Sequence, residues 1–137
     1  PENDRLIIEK LIDKYSGNNI KYCGFIDVAS NKFEELAGKS MFCINFSATE
    51  GQPTAMLHAM KTGLIPIIDK DSGSFDYKYG LILDIMNDSI KITRKKLIDY
   101  VKAFSWEEYQ KQSKYIADFI KDNHNYETFK SQFLESL

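Results

Sequence analysis

The chain has little of several things that would narrow its role quickly. It holds 2 cysteines, 3 prolines and 7 glycines in 137 residues. That is too few cysteines for a disulfide scaffold, and too little Pro and Gly for a low-complexity tract. Cys23 and Cys43 each lie in an apolar, strand-like run, outside any CxxC pair or Cys/His ligand spacing. Zinc is therefore not expected, and both thiols are expected to be buried in a reducing cytoplasm. A basic excess is missing too: 18 Lys and Arg against 20 Asp and Glu leave a net charge of −2. No nucleic-acid partner is expected from that balance. The one basic run, Arg94-Lys95-Lys96, reads as a solvated face at a helix start. No apolar run approaches the roughly 20 residues that span a bilayer, and no stretch has the make-up of a signal peptide.

What remains is the composition of one globular domain with a sizeable core, 43% of its residues being hydrophobic. The chain begins at Pro1 without an initiator Met and its first residues already have helical spacing, as expected of a fragment. Leu6 or Ile7, Ile8, Leu11, Ile12 and Tyr15 form one stripe of a helix over Pro1 to Tyr15, ended by Ser16-Gly17-Asn18-Asn19. Ile20 to Ile26 is expected to be a strand running into a turn at Asp27. Asn31 to Ala37 reads as a short helix with Phe33 and Leu36 inward, stopped by Gly38. Met41 to Phe46 is a continuous apolar run, expected to be a strand buried on both faces. Asp69 to Tyr79 is a polar loop of the kind that forms the mobile part of a site. Gly80 to Leu83 is a short strand, and Thr93 to Phe104 an amphipathic helix through Leu97, Ile98, Val101 and Phe104. Ser105 and Glu108 predict a capping box at the start of a helix that buries Tyr109, Ile116, Phe119 and Ile120. Tyr126, Phe129, Phe133, Leu134 and Leu137 recur at helical spacing and are expected in a core or an interface. Alternating strands and helices imply an α/β fold with a parallel sheet.

The densest segment is Ser47 to Ile68, SATEGQPTAMLHAMKTGLIPII, which reads as strand end, turn, helix, strand. Pro53 suits the first helical position, and Gly63 a left-handed C-terminal cap. Leu64 to Ile68 reads as a buried strand, in which Pro66 implies an edge position or a late start. The turn sets Glu50 beside a fresh helix N-terminus, where the unpaired N–H groups of Gln52, Thr54 and Ala55 face the mouth. Such a mouth suits anions or polyhydroxyl oxygens, and open α/β sheets bind ligands at this end of their strands. A bare βαβ scaffold without a ligand fits the same local pattern.

GFID (Gly24 to Asp27), FSATEGQP and AMKTGLIPII together resemble the C-terminal, donor-binding half of retaining glycosyltransferases of the GT-B fold, the group-1 or GT4-type family. Glu50-Gly51, Pro53, Ala59-Met60, Gly63 and Pro66-Ile67-Ile68 match that pattern in order and spacing. The resemblance implies a Rossmann-like parallel sheet flanked by helices. Residues 1–137 would be a single partial nucleotide-sugar-binding domain, with 93–137 as its helical C-terminal segment. It implies transfer of a sugar from a nucleotide diphosphate to a glycan or lipid acceptor with retention, without a metal cofactor, in polysaccharide, glycan or glycolipid biosynthesis.

By the same resemblance Glu50 is the catalytic-site carboxylate that contacts hydroxyls of the donor sugar. The second Glu of the family's Glu-x7-Glu pair falls on His58, either a weaker ribose contact or a histidine on the outer side of its helix. Gly51, Gln52 and Thr54 would offer backbone N–H groups to the sugar or diphosphate. Gly24, Phe25 and Ile26 match the turn that packs the nucleobase; read without the resemblance, Phe25 is a core aromatic. The basic pair that neutralises the diphosphate, the acceptor domain and two central strands would lie upstream of Pro1. Peripheral contact with the inner face of a membrane would come through that upstream domain, and the aromatic C-terminal helix would pack on it or on a second copy. The runner-up reading is a non-catalytic nucleotide-sugar-binding or interaction module of the same fold; a sugar-nucleotide epimerase is the third.

Overall fold

The computed structural model describes residues 7, 9–11, 13–14, 21–47, 53–72 and 78–135. Helix α1 is seen at residues 7, 9–11 and 13–14, with Ile7 and Leu11 exposed. The order that follows is α2 (Asn31–Ala37), β1 (Phe42–Asn45), α3 (Thr54–Lys61), β2 (Ile65–Asp69), β3 (Leu81–Leu83), α4 (Ile90–Ala103), α5 (Trp106–Asn123) and α6 (Tyr126–Glu135). The three strands pair in the order β1-β2-β3, and both pairings are parallel. The described residues thus form a mixed α/β unit with an open parallel sheet, in keeping with a Rossmann-like fold.

Serines start three of the helices for one physical reason. A hydroxyl at the N-cap accepts from a backbone N–H that the first turn leaves unpaired. Ser30 accepts from Phe33 N (3.3 Å), Ser89 from Ile92 N (3.4 Å) and Ser105 from Glu108 N (3.1 Å). The Ser89 cap starts α4 before Thr93, the position expected from the apolar stripe alone. At Ser105 only half of the expected box forms. The Glu108 carboxylate accepts from Gln112 Nε2 (2.8 Å) rather than returning to the cap. Pro53 is the N-cap of α3 rather than its first helical residue, and it brings no side-chain hydrogen bond. Gly63 has a φ of 89° and closes α3 as expected.

The core joins Met56, Ala59 and Met60 of α3 to Ile65 and Ile68 of β2 and to Ile116 and Ile120 of α5, with Ala37 and Cys43 at its margin. A Cβ on Gly63 would lie 2.3 Å from Ser113 Oγ of α5, so any larger residue there would force that hydroxyl to move. Tyr109 and Phe119, expected inside, are half-buried against this cluster. Phe42 meets the rings of Phe104 (5.2 Å) and Tyr100 (6.1 Å), which seats α4 on the sheet, although no residue of α4 is fully buried.

The structure corrects several expectations. Residues 21–27 form no strand. Gly24 turns the backbone left-handed at φ 67°, which ends an extended run, and a strand gains its hydrogen bonds only from a neighbour. The turn at Asp27 does form, with Ala29 N donating to Asp27 Oδ1 (2.9 Å). β1 is not covered on both faces: Cys43 is buried, whereas Ile44 is 54% exposed because β1 lies at the outside of the sheet. Pro66 sits in the central strand, not at an edge. Ile65 N donates to Met41 O across β1, so the next residue faces β3, and the β3 ladder begins only at Ile67 with Leu81. The missing N–H therefore falls beside Gly80, which has a φ of 115° and no Cβ to clash with Pro66 O. Cys23 is half-buried and Cys43 buried, both as free thiols. Tyr126, Phe129 and Leu134 of α6 are exposed, which overturns the core half of their expectation and leaves the interface half. Leu6, Ile8, Ile12, Tyr15, Leu137 and the Phe133 side chain lie outside the described residues.

Candidate functional site

The carboxyl ends of β1 and β2 are followed by the polar stretches Asn45–Ser47 and Asp69–Ser72. α3 begins beside the first of them. Its Pro53 cap has no side-chain hydrogen bond, and Pro53 O takes the N–H groups of Met56 (2.9 Å) and Leu57 (3.2 Å). Among the described residues, the first two amides of the helix, Thr54 and Ala55, have no acceptor. Thr54 and Ala55 line a cavity of about 500 Å³ together with Ile44, Asn45, Pro53 and Met56. Two free amides and the positive end of a helix make one wall of that cavity a hydrogen-bond donor to oxyanions or hydroxyls.

Thr54 also borders a second groove of about 200 Å³ with Leu57, His58, Lys61, Ile120 and His124. The two spaces adjoin at Thr54, since residues four apart share one helix face. His58 therefore points along α3 toward the end of α5, in company with Lys61 and His124.

Of the residues singled out from the sequence, Thr54 and His58 come together here. Glu50, Gly51 and Gln52 lie outside the described residues. Gly24, Phe25 and Ile26 line neither of these two spaces. Phe25 is 96% exposed, so its reading as a core aromatic is overturned. Cys23 O, next in the chain, accepts from Lys32 Nζ at 3.4 Å.

Three residues at this end escaped sequence reasoning: Asn45, Asp69 and Ser72. Asn45 lines the cavity, and its Oδ1 accepts from Ser47 N (2.9 Å). Asp69 and Ser72 are both buried polar residues. A usable signal was present, because each polar residue closes or follows an apolar strand run, NFS after FCI and DKDS after IPII. Lys70, the first residue past β2, is paired with Asp84 at 3.0 Å. The hydrogen bond to Asp84 holds the Lys70 pKa above its usual value. Asp84 in turn is held below the carboxylate range by its hydrogen bonds, first from Asn87 and then from Lys70.

Among the described residues no group of three or more His, Cys, Asp or Glu is arranged to hold a metal ion. No described helix is long and apolar enough to cross a membrane. No family model, curated protein or solved structure matches this chain.

Proposed function

We propose that this chain supplies part of the donor site of a cytoplasmic retaining glycosyltransferase of GT-B type, acting on a nucleotide-diphosphate sugar. One observation carries the reading. Thr54 and Ala55, whose amides have no acceptor among the described residues, line a cavity at the strand ends, directly after the segment whose Glu50-Gly51…Pro53 spacing resembles the family's sugar-contacting turn. The departing diphosphate gains negative charge while the sugar carbon becomes oxocarbenium-like, and fixed dipoles favour that separation. Glu50 would orient the sugar hydroxyls, and Thr54 and Ala55 would donate to the sugar or the phosphates. The resemblance assigns the cation for the leaving group to a basic pair upstream of Pro1; Lys70 is engaged by Asp84, and Lys61 lines the adjoining groove beside His58. The resemblance puts two more strands at the centre of the sheet. β1 at the outside and the unpaired run 21–27 suit a sheet described without them.

His58 favours a second reading, a module that binds nucleotide sugars without turnover. An imidazole makes one hydrogen bond to a ribose hydroxyl where a carboxylate can take two. A thermal-shift screen against uridine, guanosine and adenosine diphosphate sugars, followed by product analysis in the full-length protein, separates the two. Stabilisation with sugar transfer is the expected result; stabilisation without transfer or hydrolysis selects the module. A flat response to every donor removes both.

A further inference from the structure

Two buried polar residues at the carboxyl end of the sheet are used by nothing described so far. Asp69 is 1% exposed and Ser72 0%. A buried carboxylate or hydroxyl is costly unless its hydrogen bonds are made, so their partners show what they hold in place. Asp69 Oδ1 accepts from Asp71 N (2.9 Å) and Oδ2 from Ile85 N (2.8 Å), the latter just past the end of β3. Its backbone oxygen accepts from Ser72 N (3.0 Å). Ser72 Oγ then donates to Ser47 O at 2.6 Å, and Ser47 N donates to Asn45 Oδ1 at 2.9 Å. Asn45 lines the cavity at the start of α3.

This relay runs from β3 through β2 to β1 and ends on a wall of the mouth. We infer that Ser72, locked in turn by Asp69, is a positioning residue that fixes the chain at Ser47 and through it the Asn45 side chain at the donor cavity. The inference rests on reading that cavity as a donor site, but the relay itself involves only the protein. Ser72 touches no ligand in this scheme. Its hydroxyl acts through the Ser47 carbonyl, one peptide unit from the amide that holds Asn45. An apolar residue of similar size would fill the same space and leave that carbonyl without a donor.

The test is residue-resolved amide exchange by NMR together with titration of UDP-glucose, GDP-glucose and ADP-glucose, using Ser72→Ala and Ser72→Cys. The Ser47 amide is expected to exchange about tenfold faster in Ser72→Ala, the factor that goes with losing one hydrogen bond of ordinary strength. The Ile67 and Ile68 amides in the ladder should keep their wild-type protection. Ser72→Cys, which keeps the volume and a weak donor, should fall between the two and serves if the alanine variant does not fold. Affinity for whichever nucleotide sugar the wild type binds should drop about threefold to tenfold in Ser72→Ala. Equal acceleration at Ser47 and Ile68, or none at Ser47, overturns the inference, as does selective loosening of Ser47 with unchanged affinity. If the wild type binds none of the three sugars, the donor reading fails, and the exchange data still decide whether Ser72 holds Ser47 and Asn45.

Discussion

At the scale of single residues, charge and burial separate the groups that can act from those that cannot. Glu50→Ala in the full-length protein should lower transfer at least about a hundredfold, the scale of one lost transition-state contact, with the circular dichroism spectrum unchanged. Wild-type turnover in that variant would take Glu50 out of the chemistry. His58 is exposed and shares its groove with Lys61 and His124, so His58→Ala should weaken nucleotide binding by only about threefold to tenfold. Unchanged affinity would leave His58 as a surface histidine. The two thiols should also differ. Burial pushes Cys43 up to about 12, and only a thiolate attacks a disulfide reagent. Cys23 is half-buried. A thiol titration of the native protein should therefore count one cysteine, and a titration in denaturant two; a native count of two would mean that β1 opens readily.

At the scale of elements, local chemistry set most boundaries and neighbours set the exceptions. The Asn31 start and Gly38 stop of α2, the left-handed Gly63 and the buried run Ile65–Ile68 could be read directly, because caps and apolar runs are local signals. Ser105 illustrates the worth of such a cap. Ser105→Ala should cost about 1 kcal/mol in urea unfolding, since it frees the Glu108 amide at the start of the helix that brings Ile116 and Ile120 to the core. No change would mean that α5 is held by its packing alone. The failures were of the opposite kind. Whether residues 21–27 form a strand, or Ile44 is covered, depends on what lies beside them in space. Periodicity along the chain holds no record of that. Pro66 implied an edge position or a late start because the rule concerns its missing N–H; β2 is central but starts at Ile65, and the side facing β3 was fixed by the Ile65 pairing and the room beside Gly80. In the candidate site, the helix that begins beside the strand end could be read from the sequence. Asn45, Asp69 and Ser72 carried only a compositional signal, polar residues after apolar runs, since their hydrogen bonds cross between strand ends separated in sequence.

For the molecule as a whole, the buried titrating groups set a direction for pH dependence. Burial raises Cys43 from 9.0 to about 12, and burial aided by Glu108 raises Tyr100 from 10.0 to about 12. Both groups lose their protons more easily in the unfolded chain. Their share of stability is complete below about pH 9 and is lost as the pH climbs toward about 12. Melting temperature should hold near neutrality and fall above about pH 9, less steeply in Cys43→Ala; an equal slope in that variant would assign the fall to other groups. The core joins the sheet to α3 and α5, and Gly63, just past the end of α3, lies against Ser113 of α5. Positions 63 and 113 are therefore coupled through one contact. A methyl group admitted at 63 collides with the hydroxyl at 113, so Ser113→Gly should soften the harm done by Gly63→Ala, though the left-handed backbone keeps part of the penalty. The two substitutions share one contact, so a double-substitution cycle read by melting temperature should depart from additivity, and strict additivity would show that the backbone at 63 alone sets the penalty.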